Sequence, residues 1–180
     1  MVKNNIQQWQ DFKVGKLFDI HPTKAYKLTN KDLFHENGSY PVVVNSSYNN
    51  GIGGYSNLPV TENGNKITFS DTTTAESIFY QTTDFIGYPH VQGLYPIEYK
   101  ENWSELSLLF FATVFRKSAL TQNFDYVNKF TRDLAKALIV RLPVDSVGNP
   151  DFSYMEKYMG EIMKKQQLNL DALKKVLVNK

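Results

Sequence analysis

Three side chains of this sequence are of the types that metal-assisted phosphodiester cleavage uses: Asp84, then Glu98 and Lys100 with a single residue between them. Two carboxylates can hold Mg²⁺ through hard oxygen ligands, and a neighbouring lysine can position or activate the attacking water. That chemistry needs the acids on adjacent strands; otherwise the three are solvated edge-strand charges. His21, His35 and His90 have neither the H-E-x-x-H pattern nor a paired-histidine spacing for a metal. No N-P-P-Y or D-P-P-Y run marks an amino-methyltransferase, and the chain has no cysteine, which excludes thiolate catalysis, disulfides and Cys-based metal sites. No cofactor is expected.

A second chemistry is recognition. Asn45-Ser-Ser-Tyr-Asn-Asn50-Gly51-Ile-Gly53-Gly54-Tyr55 is a long uncharged stretch directly after the strand-like run Tyr40–Val44. An asparagine amide presents a donor and an acceptor side by side, which matches the major-groove edge of adenine. Asn45, Ser46, Ser47, Asn49 and Asn50 are therefore candidates for base readout, with Tyr48 and Tyr55 able to pack on sugars or base edges. The same residues also suit a hairpin loop whose Asn and Gly occupy positive-φ positions. Gly51, Gly53 and Gly54 lack the G-x-G-x-x-G spacing of a phosphate loop. Thr72, Thr73 and Thr74, in the hydroxyl-rich run after Phe69, complete the readout set.

Charge supplies a weaker indication. The net charge is only +2, but residues 61–114 carry seven acids and two bases, whereas residues 115–150 carry six bases and three acids. A basic face neutralises phosphates and releases their counterions. Lys24, Lys27, Arg116, Lys117, Lys129 and Arg132 are the candidate phosphate contacts. Arg116 and Lys117 also suit the C-terminal end of a helix, where cations complement the macrodipole.

The elements that would position these groups can be read from periodicity. At 180 residues and 42% hydrophobic content, the chain suits one folded domain with an appendage. Short β-rich runs bounded by Gly, Pro and Asn predict strands at Tyr40–Val44, Ile67–Phe69 and Ile78–Tyr80. Tyr88–Gly93 and Leu94–Tyr99, each with a proline, read as edge strands. Trp103–Phe115 is too long an apolar run for a strand and predicts a buried helix, with a short helical piece around Arg132 and Lys136. Leu138, Ile139 and Val140 predict a buried strand ended by Pro143. No run reaches the ~20 apolar residues of a membrane span, and the N-terminus lacks the apolar core of a signal peptide, so a cytoplasmic protein is expected.

After turn chemistry at Asp145–Asp151, Ser153 and Glu156 have capping-box spacing for a final helix. Along it, Phe152, Met159, Gln166 and Leu173 lie on one sevenfold series. Met163, Leu170 and Leu177 lie on the other, with Met155 beside its first position. A 3.5-residue period calls for a partner helix, and a polar residue on the seam, here Gln166, can set register. The alternative is an amphipathic helix lying on its own domain.

Taken in order, Trp9-x-x-Phe12-x-x-x-x-Leu17-Phe18-x-Ile20, Asn49-Asn50-Gly51-Ile52-x-Gly54-Tyr55, Gly64-Asn65-x-Ile67-Thr68 and Phe79-Tyr80-Gln81 resemble a target recognition domain from the specificity subunit of Type I restriction-modification systems. Phe124-x-Tyr126-x-x-Lys129, Ile139-x-x-Leu142-Pro143 and Gly148-x-Pro150-Asp151 before a helix are similar to the close of one such domain. The resemblance implies an α+β fold: a mixed, antiparallel β-rich DNA-recognition domain at residues 1–150, then a coiled-coil-type dimerisation or spacer helix at 151–180. It implies double-stranded DNA as ligand, methyltransferase and restriction subunits as partners, and no catalysis by this chain. A full specificity subunit carries two such domains and two helices, so a half-length chain would pair with a second copy through Phe152, Met155, Met159, Met163, Gln166, Leu170, Leu173 and Leu177. Two alternatives remain on the residues alone: an Mg²⁺-dependent nuclease using Asp84, Glu98 and Lys100, or a protein–protein adaptor acting through the helix.

Overall fold

A computed structural model describes residues 9–72, 74–122, 124 and 129–178. Thr73 and Tyr126, singled out above, lie outside the described residues. The strands are β1 (Trp9–Lys13), β2 (Phe18–Pro22), β3 (Tyr40–Val43), β4 (Ile52–Ser56), β5 (Lys66–Ser70), β6 (Phe79–Gln81), β7 (Val91–Pro96) and β8 (Ile139–Pro143). The helices are α1 (Val14–Leu17), α2 (Asn30–Leu33), α3 (Glu105–Leu120), α4 (Arg132–Ala137) and α5 (Phe152–Val178).

The centre is a four-stranded antiparallel sheet in the order β2-β7-β5-β6. Successive side chains of a strand point to opposite faces, so Phe18 and Ile20 of β2 and Ile67 and Phe69 of β5 reach one core. Against them lies α3, whose Leu108, Phe111, Ala112, Phe115 and Ala119 recur at helical spacing and are buried. Phe18 packs on Phe111 with centroids 4.7 Å apart, and Phe69 on Phe130 at 4.9 Å. The Ser104 hydroxyl caps α3 by accepting from the Ser107 N–H. Beside the sheet, the β3–β4 hairpin has a smaller core of Leu33, Val42 and Ile86, with a parallel bridge from Val42 to Ile86 in the connection between β6 and β7. Among the described residues no helix is long and apolar enough to cross a membrane.

Four expectations need correction. The runs Tyr88–Gly93 and Leu94–Tyr99 are not two edge strands. They contribute to one interior strand, β7, because Pro89 precedes it and Pro96 ends it, leaving the ladder N–H groups between them intact. Leu138–Val140 is not buried throughout: among the described residues β8 pairs only with β1, and Ile139 on its outer side is 48% exposed. Ser153 lies inside α5, not at its cap. Asp151 caps that helix, its Oδ1 accepting from the Tyr154 N–H at 2.9 Å. Finally, the α5 seam divides. Met155 and Met159 are buried in the main core, and Phe152 packs on Trp103 at 4.8 Å. Met163, Gln166, Leu170, Leu173 and Leu177 are exposed. The first two turns hold the helix to its own domain, and only the remainder is free for a partner.

Candidate nucleic-acid interface

Antiparallel pairing fixes which loops meet. Pro22 at the end of β2 lies opposite Gln92 at the start of β7, and Val91 lies opposite Ser70 at the end of β5. One end of the sheet therefore gathers the loop after β5, the turn before β7, the start of α4 and, across the smaller core, the β3–β4 loop.

Hydrogen bonds join the loops. Ser70 Oγ donates to Asn45 Oδ1 at 3.0 Å, and the Asn45 amide donates to the Pro89 carbonyl at 2.8 Å. The Thr72 N–H and hydroxyl both meet Ser70 Oγ. Gln92 Nε2 donates to Asp71 Oδ2 at 2.7 Å, while His90 Nδ1 stands 3.4 Å from Asp71 Oδ1. Asp71, Pro89, His90 and Gln92 line an open cavity of about 410 Å³ together with Pro22, Thr131, Arg132 and Asp133. Within it, Gln92 Oε1 is buried and has no hydrogen-bond partner among the described residues, and Asp71 Oδ1 has none beyond the 3.4 Å approach of His90 Nδ1. Buried acceptors without donors are unusual and favour the arrival of one.

A second set lies around β6. Asn50 donates to the Tyr80 carbonyl and to Gln81 Oε1. The Arg116 guanidinium stands over the Phe79 ring at 5.6 Å, and both line a groove that also includes Asn50. The Thr74 hydroxyl donates to Glu76. That bond, with help from Arg116, holds the Glu76 carboxyl below the usual carboxylate range.

The structure thus brings Arg132 to one cavity with Asp71, ties Asn45 and Thr72 to the end of β5 through Ser70, and brings Asn50 and Arg116 to another groove. It also gives several candidates local work. Asn49 and Asn50 take φ of 50° and 52°, the left-handed conformation that suits a hairpin loop. Asn49 donates to the Ile52 carbonyl, and Ser46 Oγ accepts from the Tyr48 N–H. Ser47 is half-buried, and Tyr48 is 82% exposed at the tip. Lys117 lines a separate groove with Trp9, Thr121 and Arg141. Lys24 and Lys27 are exposed; the Lys24 main-chain N–H donates to Glu62. Lys129 is half-buried.

Sequence reasoning missed Asp71, although it adjoins Thr72, because a lone acid in a threonine run has no signature until Gln92 and His90 close on it. It also missed the ion pair of Glu62 and Lys66, whose Nζ and Oε2 are 2.5 Å apart and whose side chains are largely buried. Burial pushes the Glu62 carboxyl up, but the Lys66 ammonium, the Lys24 N–H and the Tyr95 hydroxyl outweigh it and hold it below the usual range. Burial beside this carboxylate pushes the Tyr95 phenol up. Tyr95 in turn stacks on His21 with centroids 3.8 Å apart.

The nuclease arrangement is not formed. Asp84 and Glu98 lie in loops and Lys100 in a short 3₁₀ turn, so no two of them are on adjacent strands. Asp84 Oδ1 instead accepts from the Gly64 N–H at 2.8 Å. Among the described residues no group of three or more His, Asp or Glu side chains is placed to hold a metal.

Comparison with known proteins agrees with this architecture. The chain is 27% identical over 152 residues to the specificity subunit S.BcgI of a Type II restriction enzyme from Heyndrickxia coagulans, covering 84% of this chain and 42% of that protein. The fold matches the Type I restriction-modification S subunit from M. genitalium with a TM-score of 0.58 at 12% identity, covering 96% of this chain and 45% of the other. It matches the HsdS subunit from Thermoanaerobacter tengcongensis with a TM-score of 0.57 at 12% identity, covering 94% and 40%. The chain spans less than half the length of each of these relatives. Residues 6–172 match the family described as the Type I restriction modification DNA specificity domain, and the chain belongs to that family.

Proposed function

We propose that this chain is a non-catalytic DNA-recognition half-subunit of a restriction-modification system, reading one half of a bipartite duplex target. The observation that carries the reading is the meeting of the β3–β4 loop, the β5–β6 loop and the start of α4 at one end of the sheet. There Asp71 shares a cavity with Arg132, Ser70 ties Asn45 and Thr72 to the end of β5 next to Asp71, and Asn50 shares a groove with Arg116. Amides, hydroxyls and a carboxylate are base-edge chemistry, and arginines are phosphate chemistry. Thr73, Asn49, Ser46 and Ser47 complete the proposed readout set, and Lys24, Lys27, Lys117 and Lys129 the phosphate set. Family membership supports the assignment.

The exposed part of α5 serves as the dimerisation surface, and methyltransferase and restriction subunits supply the catalysis in the cytoplasm. Two copies related by a two-fold axis would select an interrupted palindrome. The test is selection from a random duplex pool by the purified full chain at low salt, followed by binding at rising salt. Enrichment of a short motif, repeated in inverted orientation at fixed spacing, is the expected result. Indifference to sequence together with binding unaffected by salt refutes the reading and favours an adaptor.

A further inference from the structure

The backbone turns left-handed for three residues in the β3–β4 loop. Asn49, Asn50 and Gly51 have φ of 50°, 52° and 75° in succession. L-residues visit that conformation singly, and a run of them persists only where the surroundings over-determine it. Here they do. The Gly51 N–H donates to the Tyr48 carbonyl at 2.9 Å, and the Val44 N–H to the Gly51 carbonyl at 2.8 Å. Asn49 Nδ2 donates to the Ile52 carbonyl at 3.0 Å, and Asn50 Nδ2 to the Tyr80 carbonyl and Gln81 Oε1, each at 3.2 Å. Gln81, itself buried, donates back to the Asn50 carbonyl at 3.0 Å. At its other foot the loop is tied by Asn45 to Ser70 and Pro89.

What this turn holds out is Tyr48. Its ring is 82% exposed, more than any other large apolar or aromatic side chain among the described residues. A lone exposed aromatic is ordinary on a protein surface. One carried on a strained turn that is fixed at both feet is not, because fixing the ring in advance serves a contact made later. We propose that Tyr48 is a wedge for double-stranded DNA: its ring enters between two base pairs at the edge of the half-site, opens that step and kinks the duplex. The proposal rests on the DNA-recognition reading above and adds to it a residue that reads deformability rather than a base edge.

Three observations select this occupant. Residues 37–61 contain no Asp, Glu, Lys, Arg or His, so the loop forms no ion pair with a phosphate and suits the uncharged base stack. The amide nitrogens of Asn49 and Asn50 are committed to the turn, which leaves the ring as the main contact group of the tip. Asn45, bonded at the end of the sheet where the readout candidates gather, is three residues from Tyr48, so the tip lies within about 10 Å of a duplex held there. A π-face stacks on any base and carries no donor–acceptor code. Its preference is for the step that opens most easily, a pyrimidine–purine step such as TA or CA.

The test uses the full chain and the duplex it selects from the random pool, with 2-aminopurine replacing each adenine in turn in and beside the half-site. Emission of this base rises when it unstacks. The Tyr48 N–H and carbonyl that help hold the turn are present in every variant, and an unchanged unfolding midpoint verifies that each is folded. With the unmodified chain, emission rises at least about twofold at one step and at no other. Tyr48→Phe keeps the rise. Tyr48→Ala abolishes it and weakens binding about tenfold; on renewed selection it loses the pyrimidine–purine preference at that step and keeps the rest of the motif. A sequence-specific complex with no rise at any step, or a rise that Tyr48→Ala leaves in place, overturns the wedge while the recognition reading stands. Loss of the rise in Tyr48→Phe as well as Tyr48→Ala overturns ring insertion in favour of a hydroxyl contact. Failure of the chain to select any sequence overturns both the wedge and the reading it rests on.

Discussion

The division of α5 into an anchored base and a free arm makes a quantitative prediction. Met155 is fully buried in the main core, whereas Leu173, eighteen residues on, is 62% exposed. Truncating a buried methionine removes its transfer free energy and leaves a cavity, which together amount to about 2–5 kcal/mol. Taking about 3 kcal/mol, and about 2–4 °C per kcal/mol for a chain of this size, Met155→Ala should lower Tm by about 6–12 °C. Leu173→Ala removes comparable apolar bulk from a site already in water, and in the monomer it should change stability by no more than about 0.5 kcal/mol. Urea unfolding of both variants, at concentrations low enough for the protein to be monomeric, makes the comparison. Equal losses would refute the division, because they would mean that the arm packs on its own domain.

Other consequences are open to measurement. Lys66→Met should destabilise by about 3–5 kcal/mol by stranding the buried Glu62 carboxylate, and adding Glu62→Gln should recover much of that loss; a double-mutant cycle by denaturant unfolding checks it. Glu62 has a folded-state pKa below its ordinary 4.5, so its contribution is present above pH 4.5 and fades as pH falls through the lower folded value. Glu62→Gln should flatten that part of the stability profile. Arg132→Ala and Arg116→Ala should each weaken DNA binding about equally for all sequences and reduce the salt slope by about 1; an unchanged slope removes that residue from the phosphate set. Asp71→Asn keeps the shape but replaces an acceptor oxygen by a donor, so it should change the preferred base at one position by about 1–3 kcal/mol of discrimination, read by repeating the sequence selection.

Several parts of this protein were fixed by the chain locally. The apolar run that became α3, the strands read at Ile67–Phe69 and Ile78–Tyr80, and the loop read after Val44 all depend on periodicity and turn residues, and each formed within a residue or two of those signals at its start. The resemblance carried by Trp9–Ile20, the Asn49–Tyr55 loop and the Gly148–Asp151 turn agrees with the family match over residues 6–172. The sevenfold series along α5 was also legible as a pattern.

What periodicity could not supply was the distribution of partners, because burial is a property of pairs of elements distant in sequence. Only the antiparallel order β2-β7-β5-β6 made one interior strand of two proline-bearing runs, and only pairing with β1 alone left Ile139 in water. Asp71, Gln92 and His90 became one cluster because β5 and β7 lie side by side with Ser70 opposite Val91. The α5 stripe is continuous as a pattern, but contact with α3 and Trp103 claimed its first two turns and left the rest exposed. Sequence determined the helix and its stripe, and tertiary packing decided which half of that stripe was spent inside the domain.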